Sequence, residues 1–267
     1  MAVRIAVFGA GGKMGHAIVR AIANAEGATL AAAIERPDYP HLAADASQIA
    51  GLPASGVRVA DQHPLKGTAD VWIDFSSPAA TIANVKAAAA AGTAMVVGTT
   101  GLSAADKAEI AAAAKTIPVV LAPNMSVGVN VMLKLVAEAA RMLGSAYDIE
   151  IAETHHRAKR DAPSGTALRL AEAVAEASGR DLAATARYER HGDIGPRTAS
   201  EIGIQALRGG DVFGDHTVFF LGQGDRIEIT HRASSRDTFA HGAVRAALWL
   251  AGKPAGLFDM RDVLGLK

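Results

Sequence analysis

The sequence predicts an α/β protein: a parallel sheet covered by helices, followed by a second, α+β domain built on an open mixed sheet. Three observations carry that prediction. Short apolar runs bounded by glycine recur through the first half and alternate with alanine-rich stretches of helical character. A glycine cluster at residues 9–15 follows directly on the first of those runs. Beyond Asn124 the pattern changes to alternating apolar and polar residues, the mark of strands with one covered face.

Taken in order, Val3 to Gly9 is an apolar run that reads as a strand buried on both faces. A helix follows from about Lys13 to Ala25, then a second strand from Thr29 to Glu35. Val71 to Phe75, Ala94 to Gly98 and Val119 to Ala122 are further short strands, separated by helices near Ala79 to Ala91 and Ala104 to Lys115. A long helix is predicted over about Asn130 to Leu143. Asp148 to His156 alternates as a half-covered strand does. Later strands are predicted near Ile202 to Leu207, Thr217 to Leu221 and Arg226 to Thr230, the last two joined by the hairpin signal Gly222-Gln223-Gly224-Asp225. A last helix from about Phe239 to Leu250 stops before Gly252 and Pro254.

Composition narrows the function. Lys plus Arg and Asp plus Glu both number 27, so the basic excess of a nucleic-acid binder is missing. The absence of cysteine removes disulfides, thiolate nucleophiles and cysteine-based zinc sites together. No apolar run approaches the roughly 18 residues that span a bilayer. The apolar start runs into glycines instead of a small-residue cleavage site, so it reads as a strand and not a signal peptide, and a cytoplasmic protein is expected.

The cluster Gly9-Ala10-Gly11-Gly12-Lys13-Met14-Gly15 matches a G-x-x-G-x-x-G spacing through Gly9, Gly12 and Gly15. Glycines let a backbone turn tightly and approach a pyrophosphate, whose charge then sits at the N-terminus of the next helix. Met14 after Lys13 excludes a Walker A loop. Glu35 lies 20 residues beyond Gly15, at the end of the second strand, where a ribose-binding acid is expected. With that context a Rossmann-type dinucleotide domain is predicted; alone, the loop would be only a glycine turn. Arg36 follows. A carboxylate suits the 2′-hydroxyl of NADH, a guanidinium the 2′-phosphate of NADPH, so the pair predicts use of NADPH or NADH.

The richest stretch runs from Glu153 to Ala167 and contains His155, His156, Arg157, Lys159, Arg160, Asp161, Ser164, Gly165 and Thr166. Histidine is matched to proton transfer near neutral pH. Ser164 is placed to cap a helix, and the Gly165 and Thr166 amides beside cations would cradle a carboxylate. Together they point to a small acidic substrate. Adjacent histidines on a strand face opposite ways, so at most one meets a ligand from regular structure. They lack the i, i+4 spacing of a helical metal pair, and no metal is predicted. On the residues alone, a solvated basic run with a simple helix cap fits as well.

Several of these segments together resemble the 4-hydroxy-tetrahydrodipicolinate reductase (dihydrodipicolinate reductase) family over essentially the whole chain. The markers are the glycine loop, Glu35-Arg36, Gly98-Thr99-Thr100, the run from Ala122 to Asn130, the closing Phe258 to Leu266 and, most specific, Glu153 to Ala167. The resemblance implies that Gly9, Ala10, Gly11, Gly12, Lys13 and Met14 hold the pyrophosphate, Glu35 the ribose and Arg36 the NADPH phosphate. It implies that Gly98, Thr99 and Thr100, with Ala122, Pro123, Asn124 and Met125, flank the nicotinamide. Lys13 stands where many relatives carry arginine, keeping the charge but not the bidentate fork; Pro123 stands where some carry alanine. His155 would be the proton donor and acceptor, Lys159 a second donor, and His156, Gly165 and Thr166 would bind substrate.

The same resemblance implies a dinucleotide-binding domain of residues 1–126 plus 236–267, a substrate-binding and oligomerisation domain of residues 127–235, and a homotetramer. It implies loss of water and hydride reduction of a cyclic imine dicarboxylate on the route to diaminopimelate and lysine. Two other readings compete. Another two-domain NAD(P)-dependent amino-acid dehydrogenase would not need the Glu153 to Ala167 stretch. A nicotinamide-sensing protein would need neither His155 nor Lys159. A short-chain dehydrogenase would need Tyr-x-x-x-Lys, but Ala43, Ile151 and Gly192 stand four residues after Tyr39, Tyr147 and Tyr188.

Overall fold

The computed structural model describes residues 1–266. The chain divides into two compact units: Met1–Val127 with the return from Arg236 onward, and Gly128–Ser235. In chain order the elements begin with β1 (Val3–Phe8), α1 (Lys13–Ala23), β2 (Ala28–Ile34), α2 (Ala46–Ile49), β3 (Val59–Ala60), β4 (Val71–Asp74) and α3 (Pro78–Ala91). They continue with β5 (Ala94–Val97), α4 (Ala104–Ala113), β6 (Pro118–Leu121), α5 (Val127–Leu143), β7 (Asp148–His155), α6 (Gly165–Ala177), α7 (Leu182–Thr185) and β8 (Ala186–Arg187). The chain ends with β9 (Ile202–Arg208), β10 (Gly214–Leu221), β11 (Arg226–Ala233), α8 (Asp237–Leu250), β12 (Gly256–Phe258) and α9 (Met260–Leu264).

The first unit is the expected Rossmann-type layer. Seven strands in the order β12-β6-β5-β4-β1-β2-β3 pair in parallel throughout. Parallel neighbours need crossovers, and the helices that make them cover both faces, so the strands must be apolar on both sides. Along β1, Ile5 and Val7 join a core with Ile18 and Ile22 of α1 and Ala243 and Ala247 of α8. Ala6 and Phe8 join the opposite core with Val85 of α3 and Ile110 of α4. The strand order turns at β1, with β2 leaving to one side and β4 to the other. Such a turning point opens a crevice at the carboxyl edge of the sheet, where ligands bind in this architecture.

The second unit is α+β on a mixed sheet in the order β11-β10-β7-β9-β8. Strand β7 runs antiparallel to β10 and parallel to β9, and β10 and β11 form an antiparallel hairpin. Alternation covers one face: Ile149, Ile151, Ile202, Ile204, Val218 and Phe220 are buried beneath Met132 and Val136 of α5 and Leu170 and Val174 of α6. The hairpin closes as its glycines predict, with the Gly222 amide donating to the Asp225 carbonyl at 2.9 Å.

Some boundaries differ from the sequence reading. Helix α1 stops at Ala23 and not Ala25, because the Ala25 amide tightens onto Ile22 (3.2 Å) ahead of Gly27, which takes φ +77°. Glu35 falls just past β2, its amide held by the Ala60 carbonyl. The hairpin strands each extend three residues beyond the predicted ones, at the start of β10 and the end of β11. Elements α2, β3, α7 and β8 are two to four residues long, too short to carry a period. Elements β12 and α9 were likewise not anticipated; β12 adds a strand to the sheet beside β6.

Candidate active site

In the first unit the glycine loop is shaped by contact distances. Gly9 has φ +76°, and a Cβ there would lie 2.8 Å from the Phe75 carbonyl oxygen. A Cβ on Gly15 would run into the Gly9 carbonyl and the Ala10 backbone. These two positions therefore require glycine, one for the turn and one for the close packing of α1 on the loop. The Gly9 and Ala10 amides donate to the Ile34 carbonyl, and the Gly12 amide donates to Gly9. Gly12 caps α1 without a side chain, so Lys13 and Met14 open the helix, where amides have no carbonyl partner one turn back.

The acid after β2 meets this loop. Glu35 Oε2 accepts from the Gly11 amide at 2.8 Å and Oε1 from the Arg36 amide at 3.0 Å. The Gly11 amide is thus turned to Glu35, while Gly12 and Lys13 at the start of α1 are exposed. The Arg36 guanidinium is exposed and pairs with Asp38 at 3.2 Å. Tyr39, which the sequence reading did not single out, packs its ring against Gly11, where a Cβ would come within 2.6 Å of the hydroxyl. Burial, then the Glu35 charge, pushes the Tyr39 phenol above its ordinary range.

A cavity of about 330 Å³ brings together Met14, Gly98, Thr99, Thr100, Pro123, Asn124 and Met125. Ala122 is buried beneath that group, its amide donating to Val97. Sequence reasoning missed three further lining residues, Phe75, Ser76 and Phe239. The Phe75 ring lies on Gly98, where any Cβ would collide with it. Under the cavity floor the fully buried Asp74 carboxylate accepts from the Ser76 amide (2.8 Å), Ser76 Oγ (2.6 Å), Thr99 Oγ1 (3.2 Å) and Asn84 Nδ2 (2.7 Å). That network fixes Ser76 and Thr99 at the ends of two strands.

In the second unit the covered face of the sheet changes character along β7. Ile149 and Ile151 are followed on the same face by Glu153 and His155, buried like them. An isolated carboxylate there would be costly, so it must be paired. Glu153 is 0% exposed and accepts four bonds. Arg208 on β9 donates to both oxygens (2.7 and 2.8 Å), Nδ1 of His155 lies 2.6 Å from Oε2, and the Ser164 amide donates to Oε1 at 2.9 Å. Burial works to raise the Glu153 carboxyl, but Arg208, His155 and the Ser164 amide outweigh it and hold it below the usual carboxylate range.

Ser164 caps α6, its Oγ accepting from the Ala167 amide at 3.1 Å. Gly165 and Thr166 form the first turn of that helix, with open space beside Gly165. Ser164 Oγ also lies 3.0 Å from Nε2 of the buried His216, whose ring meets that of His155 edge-on at 5.2 Å. Burial, then the neighbouring His155, lowers the His216 pKa to about 4. Lys159 Nζ donates to both oxygens of Asp161 at 2.8 Å, and the Asp161 carbonyl is held by Arg208 at 2.7 Å. His156 is half-buried, and Arg157 and Arg160 are exposed.

His155, Lys159, His156, Gly165 and Thr166 all belong to this one unit, on β7, the following loop and the start of α6. Sequence reasoning missed Glu153, Arg208 and His216. A signal for Glu153 exists: it is an acid in the apolar phase of an alternating strand. Among the described residues, no group of three or more His, Cys, Asp or Glu is placed to hold a metal ion, and no helix is long and apolar enough to cross a membrane.

Comparison with known proteins covers both units. Residues 3–125 match the family model of the dihydrodipicolinate reductase N-terminus, and residues 128–264 that of the C-terminus. The chain is 56% identical over 267 residues to 4-hydroxy-tetrahydrodipicolinate reductase of Anaeromyxobacter sp. (strain Fw109-5), covering 99% of this chain and 98% of the relative. It is 54% identical over 269 residues to the protein of that name from Thiobacillus denitrificans, covering both in full. Among solved structures it resembles the dipicolinate-bound dihydrodipicolinate reductase from Paenisporosarcina sp. TG-14. That match has a TM-score of 0.75 and 25% identity over 97% of this chain and 98% of that one.

Proposed function

The chain belongs to the dihydrodipicolinate reductase family, and we infer from that membership and from its geometry that it reduces 4-hydroxy-tetrahydrodipicolinate with a nicotinamide cofactor, in diaminopimelate and lysine biosynthesis. One observation carries the reading beyond the likeness: a single buried carboxylate, Glu153, bonds both the His155 ring and the amide of Ser164, the residue that caps α6. A proton-transfer group is thereby tied to a helix N-terminus suited to an anion. The substrate is a ring with two carboxylates, and the Paenisporosarcina relative binds dipicolinate, an aromatic ring of that type.

The residues divide the work as follows. Gly165 and Thr166 receive one carboxylate at the start of α6. Lys159, held by Asp161 in the free protein, exchanges that partner for the substrate and lowers the cost of adding negative charge to the ring. His156 adds a polar contact. Since a carboxylate oxygen is acceptor-only, His155 Nδ1 carries hydrogen toward Glu153, and it is the imidazolium form that gives its Nε2 proton to the ring carbon, leaving the neutral ring with hydrogen on Nδ1.

The cofactor fits the first unit: the glycine loop excludes side chains at Gly9 and Gly15, and the cavity gathers the strand ends at Gly98 and Asn124. When bound, the nicotinamide supplies the hydride. Gly9 through Met14 hold the pyrophosphate, chiefly by the Lys13 and Met14 amides, and Glu35 holds the ribose. Gly98, Thr99 and Thr100, with Ala122 through Met125, shape the nicotinamide end. Both NADH and NADPH are accepted, Arg36 reading the 2′-phosphate and Lys13 adding charge. Residues 1–126 and 236–267 form the dinucleotide domain; residues 127–235 bind substrate and build a homotetramer that works in the cytoplasm. The readings as another amino-acid dehydrogenase or as a nicotinamide sensor are not favoured. A coupled assay tests the function: aspartate semialdehyde, pyruvate and the preceding synthase are supplied, and NADH and NADPH oxidation are followed separately. Oxidation that requires the synthase product is expected. Its absence with a folded, cofactor-binding protein would defeat the reading.

A further inference from the structure

In the chemistry proposed above Glu153 touches no substrate and only accepts the His155 Nδ1 hydrogen, yet it is fully buried. Its partners come from β7, β9 and the start of α6, three separate parts of the unit. Arg208 is the only one of them with a permanent charge, and its planar fork engages both carboxylate oxygens. We propose that Glu153, neutralised by Arg208, is the positioning residue of the reaction: it fixes the His155 ring by its Nδ1 edge and, through the Ser164 amide, fixes the anion-binding end of α6 relative to that ring. This rests on His155 being the proton donor.

The geometry has a charge consequence. The charged and titratable groups around His155 are Glu153 on its own strand, bonded to Nδ1, His216 on β10, edge-on to the ring, and Arg208 on β9, bonded to the same Glu153 oxygen; Lys159 and Asp161 of the loop join them through Arg208, which holds the Asp161 carbonyl. His216 is neutral at pH 7 because burial, with His155 beside it, lowers its pKa to about 4, and Lys159 is paired with Asp161. The balance on the imidazole is therefore set by Glu153 against Arg208. Removing the carboxylate leaves a bare cation and disfavours imidazolium. Removing the guanidinium leaves a bare carboxylate and favours it. An opposite charge at this range moves a titration by about one to three units.

The test uses the full-length protein with Arg208→Met, Arg208→Lys, Glu153→Gln and the double variant Glu153→Gln/Arg208→Met. Two readouts are taken: the pH profile of kcat/KM, and the His155 ring titration by NMR in the absence of substrate, its signal assigned with His155→Asn. In Arg208→Met the alkaline limb and the ring titration move up by about one unit or more; in Glu153→Gln both move down by a similar amount. The double variant returns toward the wild-type position with lower kcat, and Arg208→Lys keeps the position while kcat falls. Shifts in the same direction for both single variants, or activity loss with no shift, would overturn the proposal. If Glu153→Gln does not fold, the upward shift in Arg208→Met against none in Arg208→Lys decides alone. The NMR titration separates failures: opposite shifts in a protein without reductase activity would keep the pair and defeat the proposed function, whereas turnover without those shifts would do the reverse.

Discussion

Stability as a function of pH isolates His216. The folded ring has a pKa of about 4, lowered by burial and by His155, against about 6.5 in the unfolded chain. Between those values the unfolded chain holds a proton that the folded one does not, so stability falls as pH drops. The contribution is complete above about pH 6.5 and lost toward pH 4. At roughly 1.4 kcal/mol per pH unit, the gap amounts to about 3 kcal/mol. His216→Phe removes the titration. It also removes the bond to Ser164 Oγ, at a pH-independent cost of about 1 kcal/mol. Urea unfolding of both proteins at pH 7, 6, 5 and 4 gives the difference directly, and titrating groups that do not interact with His216 cancel. Wild type should exceed the variant by about 1 kcal/mol at pH 7 and trail it by about 2 kcal/mol at pH 4. A difference constant across the range would refute the picture of a neutral histidine buried beside His155.

Arg36→Ala should weaken NADPH by about 1.5–3 kcal/mol, the scale of a charged hydrogen bond, with NADH little changed in parallel calorimetric titrations. Gly98→Ala drives a methyl into the Phe75 ring; overpacking of about 1–3 kcal/mol should appear as a lower melting temperature and a cofactor Kd raised about tenfold or more. Pyridine-2,6-dicarboxylate should compete with substrate far better than the mono-acid, and equal inhibition would count against a two-carboxylate site. Lys159→Ala should lower kcat and raise KM, whereas Lys159→Arg keeps the charge and should recover binding better than turnover.

What was legible in the sequence was local. Strands β1, β4, β5 and β6 are apolar because both of their faces are covered, and that shows without any knowledge of neighbours. The Ser164 cap and the Gly222–Asp225 hairpin are also short-range chemistry. The unread parts depend on distance along the chain. Arg208 reaches Glu153 from 55 residues away, and no period announces such a pair. Asp74 lies inside the predicted strand from Val71 to Phe75; its burial makes sense only once Asn84 and Thr99 supply donors from outside that strand. Phe239 reaches the cavity from the far side of the second unit in sequence. Tyr39 lies in a loop, and its ring meets Gly11 from a distant part of the chain.

Single-turnover kinetics of His155→Ala ask most directly whether this imidazole delivers the proton. With the fold confirmed by circular dichroism, the rate of cofactor oxidation should fall by about 10²- to 10⁴-fold, while NADPH affinity stays at the wild-type value. Arg157→Ala and Arg160→Ala, exposed neighbours on the same loop, should stay near wild type. A folded His155→Ala protein that turns over at close to the wild-type rate would contradict the assignment and leave His155 a buried strand-end residue held by Glu153.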